Sequence, residues 1–119
     1  MNEKIKDFSF TININDTALD DVLNRVKNSR LISDLGNEEW KYGTQETYLK
    51  DLIDYWLSKY NWKKHEKEIN KFSHYKIEID NIPIHFIYEK GSSKNSKPLI
   101  LTHGWPWTFW DYKKIIEPL

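Results

Sequence analysis

The feature that most constrains this chain is a short apolar run near its C-terminal end, residues 98–102 (PLILT), followed at once by the sequence HGWP. Leu99, Ile100 and Leu101 are consecutive, so a strand formed there needs cover on both faces. That pattern is typical of a central parallel strand between helices. A parallel neighbour requires a crossover of about a dozen residues or more, and few residues follow the turn. The sequence therefore predicts the front of a larger α/β enzyme, or a subunit that completes its sheet with a partner chain.

The first part of the chain alternates between strand and helix patterns. Residues 8–14 carry apolar side chains at every second position, which predicts a short strand with one buried face. An apolar stripe of helical spacing follows, and Asp16 or Thr17 is the expected N-cap of a helix that ends near Asn28. The next segment has no clear period, so we expect a loop with Trp40 as its aromatic anchor.

Two further helices and a hairpin are predicted before the apolar run. Thr44 is the expected cap of a helix with a wide apolar stripe, and Asn61 is the expected cap of the helix after it. The period then changes to two on both sides of Asp80 and Asn81, which predicts a β-hairpin over residues 73–90 because Asn tolerates positive φ. The expected fold is thus α/β, with an N-terminal α+β segment leading into a first parallel core strand.

Composition excludes several classes of protein. The 18 basic and 18 acidic residues balance, which removes the electrostatic argument for nucleic acid or an anionic membrane as partner. The absence of Cys excludes disulfide scaffolds, thiolate metal sites and cysteine nucleophiles. No apolar run reaches the roughly 20 residues that span a bilayer, and the N-terminus lacks the apolar region of a signal peptide. We therefore expect a cytoplasmic protein without a transmembrane segment. The histidines share no metal-ligand spacing, so no metal is expected.

The HGWP turn contains the candidate site. Gly104 allows a sharp turn and Pro106 fixes φ, so the backbone N–H of Trp105 between them can be aimed at a ligand. Such a turn at the carboxyl end of a parallel strand is where open α/β sheets bind their ligands. A fixed N–H there can act as an oxyanion-hole donor. His103 is expected to make a structural hydrogen bond, and not to act as a catalytic base.

These residues carry a resemblance to a known family. HGWP after LILT resembles the HG-x-P turn of epoxide hydrolases in the α/β-hydrolase superfamily. Separated upstream segments resemble the epoxide hydrolase N-terminal domain of the microsomal-type branch, in order FTINI, WKYGTQETYLKDLIDYW, the YNW stretch and IEIDNIPIHFIYEK. The resemblance runs from about residue 8 to residue 119. It implies that residues 1–97 form that N-terminal domain and that residues 98–119 begin a truncated α/β-hydrolase fold.

The resemblance also implies a mechanism and its missing parts. In the family an Asp carboxylate opens the epoxide to an ester while two lid tyrosines donate to the epoxide oxygen, and a His-activated water hydrolyses the ester. The N–H at the position of Trp105 stabilises the oxyanion of that second step, with His103, Gly104 and Pro106 shaping the turn. The implied partners are a small hydrophobic epoxide and the remainder of the core, with a homodimer left open and no cofactor. Nucleophile, base and lid lie outside these 119 residues, so we expect the isolated chain to be inactive.

The sequence departs from the family pattern directly after Pro106. Trp107 and Thr108 stand where the family usually has Gly and Ser; Thr108 can still cap a helix with Asp111. If the family Gly has positive φ, Trp107 costs about 1 kcal/mol or more. One alternative is a non-catalytic remnant or docking module that completes its sheet with another chain. The other is a different α/β-hydrolase reaction, such as dehalogenation.

Overall fold

The computed structural model describes residues 7–119, so the first six residues of the predicted N-terminal domain lie outside the described part. The chain divides into two compact units. The helical unit contains residues 13–65, and the hairpin unit contains the described residues up to Ile12 together with residues 66–119. The elements in chain order are helix α1 (Asp16–Lys27), a 3-10 turn (Glu38–Trp40), α2 (Glu46–Ser58), α3 (Trp62–Ile69), strands β1 (His74–Ile79) and β2 (Ile82–Ile87), a 3-10 turn (Phe109–Tyr112) and α4 (Lys113–Ile116).

Helix α1 is capped one residue earlier than predicted. The side chain of Asn15, not of Asp16 or Thr17, accepts a hydrogen bond from the N–H of Ala18 at 2.8 Å. Asn15 has extended backbone angles, which an N-cap residue requires, whereas Asp16 is already helical. The predicted end at Asn28 is confirmed, since Asn28 is the C-cap. Within the helical unit, α1 packs against α2.

Helix α2 is capped by a side chain that lies far away in sequence. The prediction that Thr44 caps it is wrong, because the helix begins at Glu46. The carboxylate of Asp34 accepts the N–H of Glu46 at 2.7 Å, and the carboxylate of Glu46 accepts the N–H of Asp34 at 3.3 Å. The pKa of Glu46 is lowered, first by its hydrogen bond with Lys50 and then by one with Ser33. These contacts tie the loop to the start of α2.

The other elements of the helical unit follow the prediction more closely. The expected loop contains only the 3-10 turn, and the Trp40 ring lies edge-on to that of Tyr48, with centroids 4.9 Å apart. The Asn61 cap of α3 is confirmed, because its side-chain oxygen accepts the N–H of Lys64 at 3.1 Å.

The hairpin is confirmed with its predicted turn. β1 and β2 are antiparallel, with Ile77 opposite Ile84 and Ile79 opposite Ile82. Asp80 has a φ of 51° and Asn81 a φ of 63°, the two positive values that a two-residue type I′ connection needs. The register places alternate residues of both strands on the same face of the hairpin.

The segment at residues 8–14 pairs with the hairpin at one point only. Ser9 forms an isolated antiparallel bridge with Tyr75, so the predicted strand is reduced to a single bridge. Further along, the side-chain amide of Asn70 replaces a neighbouring strand. Its Oδ1 accepts the N–H of Ile12 at 3.0 Å, and its Nδ2 donates to the carbonyl of Ile12 at 2.8 Å. These two hydrogen bonds satisfy the backbone N–H and carbonyl of Ile12 at the point where strand pairing has ended.

The Asn70 contact gives a first testable prediction. Asn70→Ala removes both partners of a part-buried backbone group, so we expect the free energy of unfolding to fall by about 1–3 kcal/mol. Denaturant unfolding of the 119-residue chain measures this. Asn95→Ala, on the exposed loop, is the matched control and is expected to change it by less than about 0.5 kcal/mol. Equal effects of the two variants would show that the Ile12 contact does not hold the segment.

The predicted parallel strand is not a strand in this structure. Residues 98–102 have no assigned secondary structure, and the exposed fractions of Leu99, Ile100 and Leu101 are 63%, 89% and 41%. The physical reason is that no strand among residues 7–119 pairs with it, because the sheet contains only β1 and β2. Within the described part, the buried hydrophobic residues are Ile69 and Tyr75. The apolar run therefore lies at the surface of this chain, without the two-sided cover that its sequence predicts.

Candidate functional site

The candidate site is the turn at residues 103–107, which joins the apolar run to the last helical segment. The peptide bond between Trp105 and Pro106 is cis. The Trp105 side chain is 93% exposed. The Nδ1–H of His103 donates to the carbonyl of Gly104 at 3.2 Å. A carbonyl can only accept, so this contact places the proton of a neutral His103 on Nδ1.

Both ends of the turn are held by the 3-10 segment that follows it. Before the turn, the Tyr112 hydroxyl donates to the carbonyl of Thr102 at 2.7 Å. After the turn, the N–H of Thr108 donates to the carboxylate of Asp111 at 2.9 Å, and the Thr108 hydroxyl oxygen accepts the N–H of Trp110 at 3.3 Å. The predicted capping box of Thr108 and Asp111 is thereby confirmed. Thr102 and Thr108 flank the turn, so its two ends are fixed to one short element.

A shallow depression of about 340 Å³ lies beside the turn. Its lining residues come from the turn and from the 3-10 segment, and they are His103, Gly104, Trp107, Asp111 and Tyr112. The carboxylate of Asp111 is engaged by the Thr108 N–H, which supports a capping function for it and not that of a nucleophile. The depression is therefore a surface beside the turn whose polar groups serve mainly to shape the backbone.

The strain anticipated at Trp107 is absent. Among the non-glycine residues from 7 to 119, positive φ occurs at Glu39, Trp40, Asp80 and Asn81, and Trp107 is not one of them. Gly104 does not have positive φ either, and a Cβ built on it would meet no atom within 4 Å. The expected penalty of about 1 kcal/mol applies only to left-handed backbone, so the bulky side chain at position 107 fits this turn.

The Trp105 N–H is one of several N–H groups in this turn with unused hydrogen-bonding capacity. No hydrogen bond from this N–H to any residue between 7 and 119 is formed, while the neighbouring groups at Thr102 and Thr108 are occupied. A donor whose turn is held at both ends and that is free to donate to a ligand oxygen has the property that an oxyanion hole requires. Sequence reasoning missed Tyr112, although its position one helical turn after Thr108 was a usable signal.

Comparison with known proteins identifies the family. The family model described as "Epoxide hydrolase N terminus" matches residues 8–112 of this chain. This chain belongs to that family. The epoxide hydrolase N-terminal match includes helices α1 to α3, the hairpin and the HGWP turn, and it confirms the resemblance inferred from the motifs. The same match supports the assignment to the α/β-hydrolase superfamily.

Individual relatives agree with this family. The chain is 38% identical over 114 residues to the juvenile hormone epoxide hydrolase of Manduca sexta and 35% identical over 114 residues to epoxide hydrolase 1 of Sus scrofa. In both cases 92% of this chain is covered and 25% of the relative. The solved structure of Aspergillus niger epoxide hydrolase superposes with a TM-score of 0.86 at 27% identity, covering 93% of this chain and 30% of that one. The chain thus spans about a quarter of the length of these curated relatives.

No group of three or more His, Cys, Asp or Glu side chains between residues 7 and 119 is arranged to hold a metal ion. In the same part of the chain, no helix combines the length and apolar character needed to cross a membrane.

Proposed function

We propose that this chain supplies the N-terminal domain and one oxyanion-hole donor of an epoxide hydrolase, which converts an epoxide and water to a vicinal diol through an aspartyl ester. The observation that carries the proposal is the unoccupied Trp105 N–H in an HGWP turn whose two ends are fixed by Tyr112 and Asp111. Membership of the epoxide hydrolase N-terminal family supports the reaction. The substrate class is a small hydrophobic epoxide.

The chemistry assigned to this chain is electrostatic. When water attacks the ester, negative charge develops on the former carbonyl oxygen, and an N–H already in place stabilises that charge without reorganisation. The turn residues His103, Gly104 and Pro106 act by shaping the backbone around Trp105. The nucleophilic Asp, the water-activating His and the lid tyrosines belong to the remainder of the enzyme, which these 119 residues do not include.

The remainder of the core is also the proposed partner of the exposed apolar run. Ile100 is 89% exposed and Leu99 63% exposed in this chain. Burying an apolar side chain of this size is worth about 1.5–3 kcal/mol. Further parallel strands would hydrogen-bond to both edges of residues 98–102, and the helices of the core would cover both faces. This arrangement would hold the Trp105 N–H at the carboxyl edge of the sheet.

A chimera tests the proposal and predicts a contrast with the isolated chain. The chimera carries residues 1–119 in place of the aligned quarter of the Manduca sexta enzyme. We expect it to hydrolyse a simple aryl epoxide, measured by diol formation, whereas the isolated chain gives only the background rate because it has no nucleophile. The unmodified Manduca enzyme is the positive control. A folded chimera without activity favours the non-catalytic docking module, and robust turnover by the isolated chain refutes the proposed division of the catalytic groups.

A further inference from the structure

Two histidines form a directly hydrogen-bonded pair on one face of the hairpin. His74 lies at the start of β1 and is only 4% exposed, while His85 in β2 is half-buried. Their ring nitrogens, Nδ1 of His74 and Nε2 of His85, are 3.0 Å apart. The ring planes differ by 14° and the centroids are 5.2 Å apart, so the rings meet edge to edge. The hairpin register places the two residues diagonally across the strand pair.

The backbone of α3 fixes the proton positions in this pair. Nε2 of His74 lies 2.8 Å from the carbonyl of Ile69, which can only accept, so Nε2 of His74 carries a proton. In the neutral ring Nδ1 of His74 is then an acceptor, and Nε2–H of His85 is its donor. The pair is therefore a one-directional chain of hydrogen bonds that ends on the α3 backbone.

The first residue of the 3-10 segment beyond the turn packs against both rings. Phe109 lies edge-on to His85 at a centroid distance of 4.8 Å and to His74 at 5.7 Å. Phe10 contacts the ring of His85 at 5.6 Å. The adjacent Trp110 makes a similar edge contact with Phe72 at 6.1 Å. The hairpin and the end of α3 thus hold the segment whose Asp111 and Tyr112 fix the two ends of the turn.

We propose that the His74–His85 pair is a positioning element for the turn that carries Trp105, acting through Phe109. In the neutral state the hydrogen bond between the rings presents one continuous surface to Phe109, and the 3-10 segment keeps the turn in place. Loss of the hydrogen bond between the rings would open that surface. The inference rests on the proposed function of the Trp105 N–H, although its own test measures structure and not catalysis.

The groups around the pair favour its neutral form. The pKa of His85 is lowered, first by burial and then by the charges of His74 and Lys76. The 3-10 segment and the N-terminal segment face the pair with the apolar rings of Phe109 and Phe10. At the end of α3 the Ile69 carbonyl accepts a hydrogen bond from Nε2–H of His74. The pKa of His85 is lower in the folded protein than in the unfolded chain. Its contribution to stability is therefore complete above about pH 6.5. It is lost as the pH falls through the lowered folded value.

The test follows the histidine rings and the turn together by NMR of the 119-residue chain. A parallel sample carrying His103→Gln separates changes that arise at His103, which lies within the turn itself, from changes that arise at the hairpin. Nitrogen-15 shifts at about pH 8 are expected to show the Nε2–H tautomer for both His74 and His85. Between about pH 8 and 5.5, the amide signals of Trp105 and Thr108 are expected to shift with the midpoint of His85.

Two variants separate positioning from simple packing. In His85→Gln the side-chain amide can still donate to His74, so we expect the turn signals at about pH 8 to stay in place and their shift between about pH 8 and 5.5 to shrink. In His85→Leu the donor is missing, so the turn signals at high pH are expected to move towards the acid positions. The proposal is overturned if the turn signals do not change with pH. It is also overturned if they shift as much in the double variant His74→Gln/His85→Gln as in the chain with both histidines. Either result leaves the function of the Trp105 N–H to be judged by chimera kinetics.

Discussion

In the chimera, Trp105→Pro is expected to lower kcat for aryl epoxide hydrolysis by about 10²–10³-fold, the usual cost of losing one oxyanion-hole donor. Proline has no N–H, so the substitution removes the one group to which the proposed mechanism assigns chemistry. The loss should appear in kcat and not as weaker substrate binding, because the charge on the oxygen exists only after water has attacked. Steady-state kinetics with a simple aryl epoxide measures both quantities.

Trp105→Phe is the matched control, since it changes the ring and keeps the N–H. The Trp105 ring is 93% exposed in this chain, so we expect the control to retain kcat within a few-fold. Circular dichroism and thermal unfolding establish that the proline variant remains folded. If both variants lose activity equally, the ring and not the backbone N–H is what the reaction uses, and the assignment of the donor is wrong.

Ile100→Asp is expected to change the stability of the isolated chain very little and to destabilise the chimera strongly. Ile100 is 89% exposed in this chain, and surface substitutions usually change stability by less than about 0.5 kcal/mol. In the chimera the same position is proposed to lie inside a parallel sheet. An unpaired carboxylate buried there costs several kcal/mol, on the order of the whole stability of a domain. We therefore expect the chimera to lose its fold and its activity.

The control for this experiment is Ile100→Val, which keeps a β-branched apolar side chain. Its expected cost in the chimera is about 0.5–1.5 kcal/mol, the usual range for this change in a core. Denaturant unfolding of both variants, in the isolated chain and in the chimera and each against its parent, gives the comparison. A chimera that tolerates Ile100→Asp as well as the isolated chain does would show that residues 98–102 stay at the surface. The N–H of Trp105 would then lack the interior strand that is proposed to deliver it.

Local patterns were sufficient where the structure is decided by neighbours in sequence. The hairpin was predictable because alternation of apolar residues surrounds Asp80 and Asn81, two residues that accept positive φ. The capping box of Thr108 and Asp111 follows from its three-residue spacing. The Asn61 cap of α3 was predictable for the same reason, because its partner Lys64 lies three residues away.

Contacts between distant residues were the ones that sequence could not supply. Asp34 caps α2 across 12 positions, whereas local sequence indicates the nearby Thr44. Asn70 holds Ile12 across 58 positions and takes the place of a strand partner. The pairing of His74 with His85 could have been found, because the turn residues fix a register that sets them diagonally on one face. No spacing rule for metal ligands detects such a pair.

The apolar run at residues 98–102 illustrates a different limit. Its sequence predicts an interior parallel strand, yet the described residues contain only the two antiparallel strands β1 and β2. A parallel strand is stable only with neighbours that hydrogen-bond to it and helices that cover it. Local sequence can therefore predict what the segment is suited for, while its burial depends on residues outside this chain.

The most direct measurement is the rate at which the aspartyl ester breaks down in single turnover, in the chimera with and without Trp105→Pro. Rapid quenching followed by mass spectrometry of the protein gives the amount of ester at each time. Ester formation is expected to stay nearly unchanged while ester hydrolysis slows by about 10²–10³-fold, so that the ester accumulates on the variant. Ester that forms and decays on the variant as fast as on the parent chimera would contradict the assignment of the Trp105 N–H as the oxyanion donor.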